Sequence, residues 1–323
     1  MIPQRNWPII GHPKIINFLK ESIKAGNLSH AYLFTGPSHL GKTTLAKFFA
    51  QTLQCEKPSF LKACEKCRSC ELIQKNSSPD TIIIDKEERL KIETIREIQH
   101  QLSLRHYSAP YKIVILAGAH LMTPEAANCL LKTLEEPPRA TILILISPHL
   151  DSLLETIVSR CQILSFLPVP TSTLKEGLLA LKKDRKLVEY LSSMVAGRPG
   201  LALEILEDPS AWQEQIRILD KFLEIKNKGE ANRLNFVQYL LSTNLNIERI
   251  LDFWLSFIRD VMVSSLGAED LISTSFLKEK IKRWPTSDIR EIISHLEKIS
   301  WTKETFKTNI NRRLALENLI LSF

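Results

Sequence analysis

The chain has 323 residues, 44% of them hydrophobic, and a formal net charge of +7. That length exceeds what one compact core ordinarily serves, so two or three globular domains are expected. No apolar run reaches the length of a membrane span, and Met1 to Pro8 lack the charged-then-apolar order of a signal peptide, so a soluble, cytoplasmic chain with no membrane partner is expected. The basic excess suits an acidic partner such as nucleic acid, but Lys and Arg are spread along the chain and the charge alone decides little.

In chain order, Trp7-Pro-Ile-Ile-Gly11-His12 reads as a turn into a helix from Pro13 to about Ala25. Ile16, Phe18, Leu19 and Ile23 line its apolar side, and Gly26-Asn27 ends it. Tyr32 to Phe34 reads as a buried strand. It runs into Gly36-Pro-Ser-His-Leu-Gly41-Lys42-Thr43-Thr44, the G-x-x-x-x-G-K-T spacing of a Walker A loop, and then into an apolar-periodic helix from Leu45 to about Leu53. Gly36 and Gly41 let backbone N–H groups turn toward phosphates, and the helix N-terminus adds its positive dipole end. Lys42 would pair with the β- and γ-phosphates of ATP or ADP and Thr43 would hold Mg²⁺, with Thr44 completing the nucleotide-binding set.

Cys55, Cys64, Cys67 and Cys70 follow, spaced C-x8-C-x2-C-x2-C beside Lys62, Lys66 and Arg68. In a cytosolic chain this clustering predicts a closed tetrahedral Cys₄ site for structural Zn²⁺ rather than disulfides, and nearby cations would favour the thiolates. Cys129 and Cys161 lie in apolar surroundings and read as core thiols.

Pro79 to Asp85 reads as a second strand, Ile92 to Leu104 as a helix and Tyr111 to Leu116 as a third, fully buried strand. A helix from Pro124 to Glu136 is stopped by Pro137-Pro138, and Thr141 to Ser147 is a fourth strand. Continuously apolar strands alternating with helices predict an α/β fold, a parallel sheet covered on both faces. Pro168 and Pro170 mark a linker, and everything from about Thr171 to Phe323 reads as helix. Ile250, Phe253, Trp254, Phe257, Ile258 and Val261 form one apolar stripe, expected to be core.

Five stretches carry a resemblance to the subunits of bacterial DNA polymerase III clamp loaders. They are Ser29 to Gly36 with the loop that follows, the four cysteines, Ala126 to Pro138, Thr156 to Cys161, and Asn309 to Glu317. The first four are shared by the delta prime and gamma/tau types, and the last is similar to the closing helix of the delta prime type. The resemblance implies an AAA+ P-loop NTPase domain over residues 1–167, a helical lid over 168–210 and an all-α collar over 211–323. In that collar the core formed by the stripe from Ile250 to Val261 would be shared between subunits. It further implies a hetero-pentamer with gamma/tau and delta subunits that sets a sliding clamp on primed DNA.

Motor subunits of this family end the third strand in two acidic residues. Here that position reads Ala117-Gly118-Ala119-His120, and neither Ala nor Gly can bind a metal or accept a proton, so hydrolysis slower by orders of magnitude is expected. The motors' polar sensor falls at Ser147 or Pro148. In Gly197-Arg198-Pro199-Gly200, Gly200 stands where motors carry a phosphate-contacting Arg. Ser159-Arg160-Cys161 carries an Arg that could be a plain surface charge; the resemblance implies an arginine finger for a neighbour's ATP, which the planar guanidinium suits. Glu135 and Glu136 sit at a helix end that disfavours acids, with no role assigned. Together these point to a stator. An active gamma/tau-type motor, a nucleotide-independent structural subunit and a branch-migration helicase subunit are the alternatives; the last shares the AAA+ core without a Cys₄ insert.

Overall fold

The computed structural model describes residues 7–59, 61–85, 89–181, 184–225, 228–243, 245–272, 274, 277–284, 288–306 and 311–323. The chain forms two compact units. One runs up to Val188 and includes Gly197–Gly200; the other comprises Glu189–Ala196 and Leu201–Phe323.

The first unit carries, in order, α1 (Pro13–Ala25), β1 (Ala31–Thr35), α2 (Lys42–Gln54), α3 (Arg68–Gln74), β2 (Thr81–Asp85), α4 (Ile92–Ser103), β3 (Lys112–Ala117), α5 (Pro124–Glu135), β4 (Thr141–Ser147), α6 (Glu155–Val158), β5 (Gln162–Ser165) and α7 (Thr171–Ala180). The strands form one five-stranded sheet in the order β2-β3-β4-β1-β5, every neighbouring pair parallel. The α/β expectation therefore holds.

Burial explains why the strands read as unbroken apolar runs. Tyr32 and Phe34 of β1, Ile113 and Ile115 of β3 and Ile144 of β4 enter one layer with Leu45 and Phe49 of α2. Their neighbours Leu33, Val114, Leu116 and Leu143 enter the opposite layer with Ile95 of α4 and Leu130 of α5. A strand covered on both faces needs an apolar side chain at nearly every position, whereas a half-exposed strand would alternate.

Strand β2 starts at Thr81 rather than Pro79, β3 runs one residue later than expected, α4 stops at Ser103 rather than Leu104, and α3 is an addition. Three further departures have a clear physical reason. Helix α2 starts at Lys42, ahead of Leu45, because its first turn belongs to the phosphate loop and carries no apolar period. Helix α5, capped by Thr123 through Ala126 N–H and opened by Pro124, stops at Glu135 rather than Glu136. Strand β5 was not expected at all. It pairs with β1 at the sheet edge, and Leu164 is its one buried side chain, so it has no apolar run to announce it.

Helices α8 (Arg185–Met194) and α9 (Pro199–Glu207) contribute residues to both units. The second unit continues with α10 (Pro209–Ile225), α11 (Glu230–Ser242), α12 (Ile247–Ser265), α13 (Lys278–Lys282), α14 (Ile289–Thr305) and α15 (Arg312–Leu321). The stripe from Ile250 to Val261 lies on α12, and all six of its residues are buried within this chain. Trp254 stacks on Phe222 with ring centroids 4.0 Å apart. The stripe is thus internal core and not, as expected, a core shared between subunits. In the closing stretch Asn309 and Ile310 lie outside the described residues; Asn311 caps α15 by accepting from the Arg313 N–H. No helix among the described residues is long and apolar enough to cross a membrane.

Candidate functional site

The loop between β1 and α2 is built for close backbone approach. Gly36 takes a φ of 129°, and a Cβ there would stand 2.1 Å from the Phe166 carbonyl oxygen. The cause is the edge pairing, in which the Phe166 N–H donates to the Thr35 carbonyl at 2.7 Å and brings the end of β5 against the loop. Gly41, in left-handed conformation, precedes α2 and offers no capping side chain, so the first N–H groups of the helix face the loop without a side-chain acceptor at the cap.

Lys42 opens α2 and is 8% exposed. Its ammonium donates to the carbonyls of Gly36 at 2.5 Å and Pro37 at 2.6 Å, and burial pushes its pKa down to about 8. A buried cation whose partners among the described residues are carbonyl dipoles suits an incoming polyphosphate. Thr43 is half-buried and Thr44 exposed on the next positions. The cradle, the helix N-terminus and the ammonium therefore fit a nucleotide phosphate chain.

Two features near the loop bear on turnover. Strand β3 ends at Ala117, and Gly118 turns the chain with φ 93° while donating its N–H to the Ile146 carbonyl at 3.2 Å. Neither position has a side chain that could activate water. His120 lies in the short helical turn that follows. Ser147 ends β4 opposite Thr35 and is fully buried, its hydroxyl donating to the His149 carbonyl at 2.7 Å and paired with Ser152 Oγ at 3.0 Å. Pro148 follows it and is half-buried.

The Gly197-Arg198-Pro199-Gly200 turn approaches the loop as backbone. The Gly200 N–H donates to the His39 carbonyl at 2.8 Å, and a Cβ at Gly200 would lie 2.8 Å from that oxygen. Where the resemblance puts an Arg in motors, this chain needs the space for the contact itself. Sequence reasoning saw the Gly but not the contact.

The four cysteines converge. The sulfurs of Cys55, Cys64, Cys67 and Cys70 all lie within 4.8 Å of one another, and none is in a disulfide. Cys55 ends α2, Cys67 precedes α3 and Cys70 is buried inside α3, so the sulfurs tie the two helices together. A tetrahedral zinc with Zn–S of about 2.3 Å would space its sulfurs by about 3.8 Å, so the donor set fits Zn²⁺. The Cys64 N–H donates to Cys55 Sγ and the Cys67 N–H to Cys64 Sγ, each at 3.3 Å. The backbone N–H of Lys66, first among several donors, pushes the Cys64 thiol down to about 6, while burial pushes Cys55 and Cys70 up. The expected help from neighbouring cations takes another form: Lys62 pairs with Glu65 at 3.5 Å, and backbone dipoles act on the sulfur. Cys129 and Cys161 pack against the second core layer as expected, and burial pushes the Cys161 thiol up to about 12.

Arg160 lies just after α6. It pairs with Glu135 at 2.8 Å, a contact sequence reasoning did not foresee.

The family described as DNA polymerase III, delta subunit, matches residues 11–170. The delta' subunit of DNA polymerase III from Bacillus subtilis is 27% identical over 315 residues, covering 96% of this chain and 95% of that one. Over nearly its whole length this chain is similar to clamp-loader subunits of the delta prime type. The tau subunit from the same organism is 26% identical over 332 residues, covering 93% of this chain and 59% of the relative. A gamma subunit-related protein from Thermotoga maritima shares the fold at a TM-score of 0.51 and 19% identity, covering 95% of this chain and 97% of that one. The clamp-loader AAA+ fold implies a nucleotide with Mg²⁺.

Proposed function

We propose that this clamp-loader subunit is a stator of the delta prime type. It binds ATP or ADP with Mg²⁺ on Gly36, Gly41, Lys42, Thr43 and Thr44, hydrolyses it poorly, and lends Arg160 to the ATP of a neighbouring gamma/tau subunit. The observation that carries this reading is the complete phosphate loop standing beside Ala117 and Gly118, where no general base is available. Binding without turnover follows from that pairing. The chain would take residues 1–167 as its nucleotide domain, 168–210 as lid and 211–323 as collar, in a ring with gamma/tau and delta subunits that loads a sliding clamp on primed DNA. Exposed Ile289, Ile293 and Trp301 on α14 supply apolar surface for such an assembly. Structural Zn²⁺ on the four cysteines completes the reading.

The test is nucleotide titration and steady-state hydrolysis on the isolated chain. Binding with negligible turnover is expected. Robust hydrolysis abolished by Lys42→Ala would make the chain a motor, and no binding at all would make it a nucleotide-independent structural subunit. In the assembled loader, Arg160→Ala should slow DNA-stimulated hydrolysis by roughly 10³ to 10⁵ at the one site it serves, diluted overall by the other sites. Arg160→Lys should rescue poorly, because an ammonium lacks the planar fork.

A further inference from the structure

Arg160 does not project freely from the end of α6. Its Nη1 donates to the Thr156 carbonyl at 3.0 Å and reaches Ser159 Oγ at 3.4 Å, while its Nη2 lies 2.8 Å from Glu135 Oε1. Acceptors on two different helices therefore fix the plane of one guanidinium. An Arg side chain left alone would sample many rotamers, and each must be given up when it meets a phosphate.

Glu135 is an unusual residue to find there. It is the last residue of α5, where the negative end of the helix dipole disfavours a carboxylate. The ion pair with Arg160 offsets that cost, so the same contact explains both residues. The side chains are 36% and 51% exposed, which leaves the pair in contact with solvent rather than sealed. A guanidinium also has more N–H donors than these acceptors consume, so it can meet an outside anion while it stays held.

We propose that Glu135 is a positioning residue for Arg160: it holds the guanidinium in the orientation that a neighbouring subunit's phosphate meets. This rests on the reading of Arg160 as an arginine finger. In this proposal Glu135 acts through Arg160, so its effect cannot exceed that of Arg160. Removing it returns rotamer freedom to the finger without removing the finger's charge.

The experiment measures DNA-stimulated ATP hydrolysis by the assembled loader carrying Glu135→Ala, Glu135→Gln, Arg160→Ala or the Glu135→Ala/Arg160→Ala pair. Glu135→Ala should slow the site that Arg160 serves by about two- to fivefold, the scale of one exposed ion pair. Glu135→Gln keeps an acceptor oxygen and should lose less. The double variant should be no slower than Arg160→Ala alone, because Glu135 then has nothing left to hold. If Arg160→Ala is slow and both Glu135 variants run at the normal rate, the positioning role is refuted and the finger stands. If Arg160→Ala itself is normal, the finger reading fails and takes this proposal with it. A double variant slower than Arg160→Ala by the full Glu135→Ala factor would show that Glu135 acts on the end of α5 and not through Arg160, which also overturns the proposal.

Discussion

Nucleotide affinity should fall as the pH rises from about 7 to about 9, and Lys42 sets by how much. Burial in the loop lowers the pKa of its ammonium to about 8, and the ammonium donates to the Gly36 and Pro37 carbonyls. A phosphate beside the ammonium favours the charged form, so the bound protein keeps this proton to a higher pH than the free protein does. Between the free and bound values, binding takes up one proton, and the dissociation constant rises about tenfold per pH unit. With a free value near 8, about nine-tenths of the free protein is charged at pH 7 and about one-tenth at pH 9, so Kd should rise about tenfold across that interval. Fluorescence anisotropy of a labelled ADP, at fixed ionic strength and Mg²⁺, measures it directly. Lys42→Met should bind more weakly throughout and show no such slope. A flat profile in the wild type, or an equal slope in Lys42→Met, would refute the assignment of the proton to Lys42.

Anaerobically purified protein should carry about one zinc, and Cys67→Ser should lose it and loosen the segment from Cys55 to Gln74 while the sheet keeps its amide protection; metal analysis with hydrogen exchange checks both. Gly36→Ala should destabilise the first unit by at least about 1 kcal/mol and abolish nucleotide binding, since a Cβ 2.1 Å from the Phe166 carbonyl cannot be accommodated without moving the loop; thermal melts with a titration would show it. Asp80 is buried, and its carboxylate accepts the N–H groups of Tyr107, Ser108 and Ala109 at 2.8, 2.9 and 3.0 Å. Burial pushes its pKa up, but these N–H groups outweigh that and hold it below the ordinary value. Its stabilisation is therefore complete above the unfolded pKa of about 4 and lost as pH falls through the lower folded value. Asp80→Asn should cost about 1–3 kcal/mol at neutral pH and converge with the wild type in acid, as urea denaturation at several pH values would reveal.

Much of the molecule is determined by local sequence alone. Strands β1, β3 and β4 are legible because burial on both faces demands an apolar residue at nearly every position, a pattern that survives without knowledge of neighbours. The phosphate loop is legible because its glycines, Lys42 and Thr43 act within one strand-to-helix turn. Three of the four cysteines lie within seven residues, so their convergence needs only a short chain. What tertiary structure decided are contacts between segments far apart in sequence. Edge strand β5 carries no apolar run and becomes a strand only because β1 offers it a ladder of hydrogen bonds. The α12 stripe has the same periodicity whether it faces its own chain or another, and only packing showed it buried at home. Gly200 reads as a missing side chain until the His39 carbonyl is found 2.8 Å from where that side chain would start. Glu135 reads as a misplaced acid at a helix end until Arg160, just past the next helix, supplies the charge it lacks.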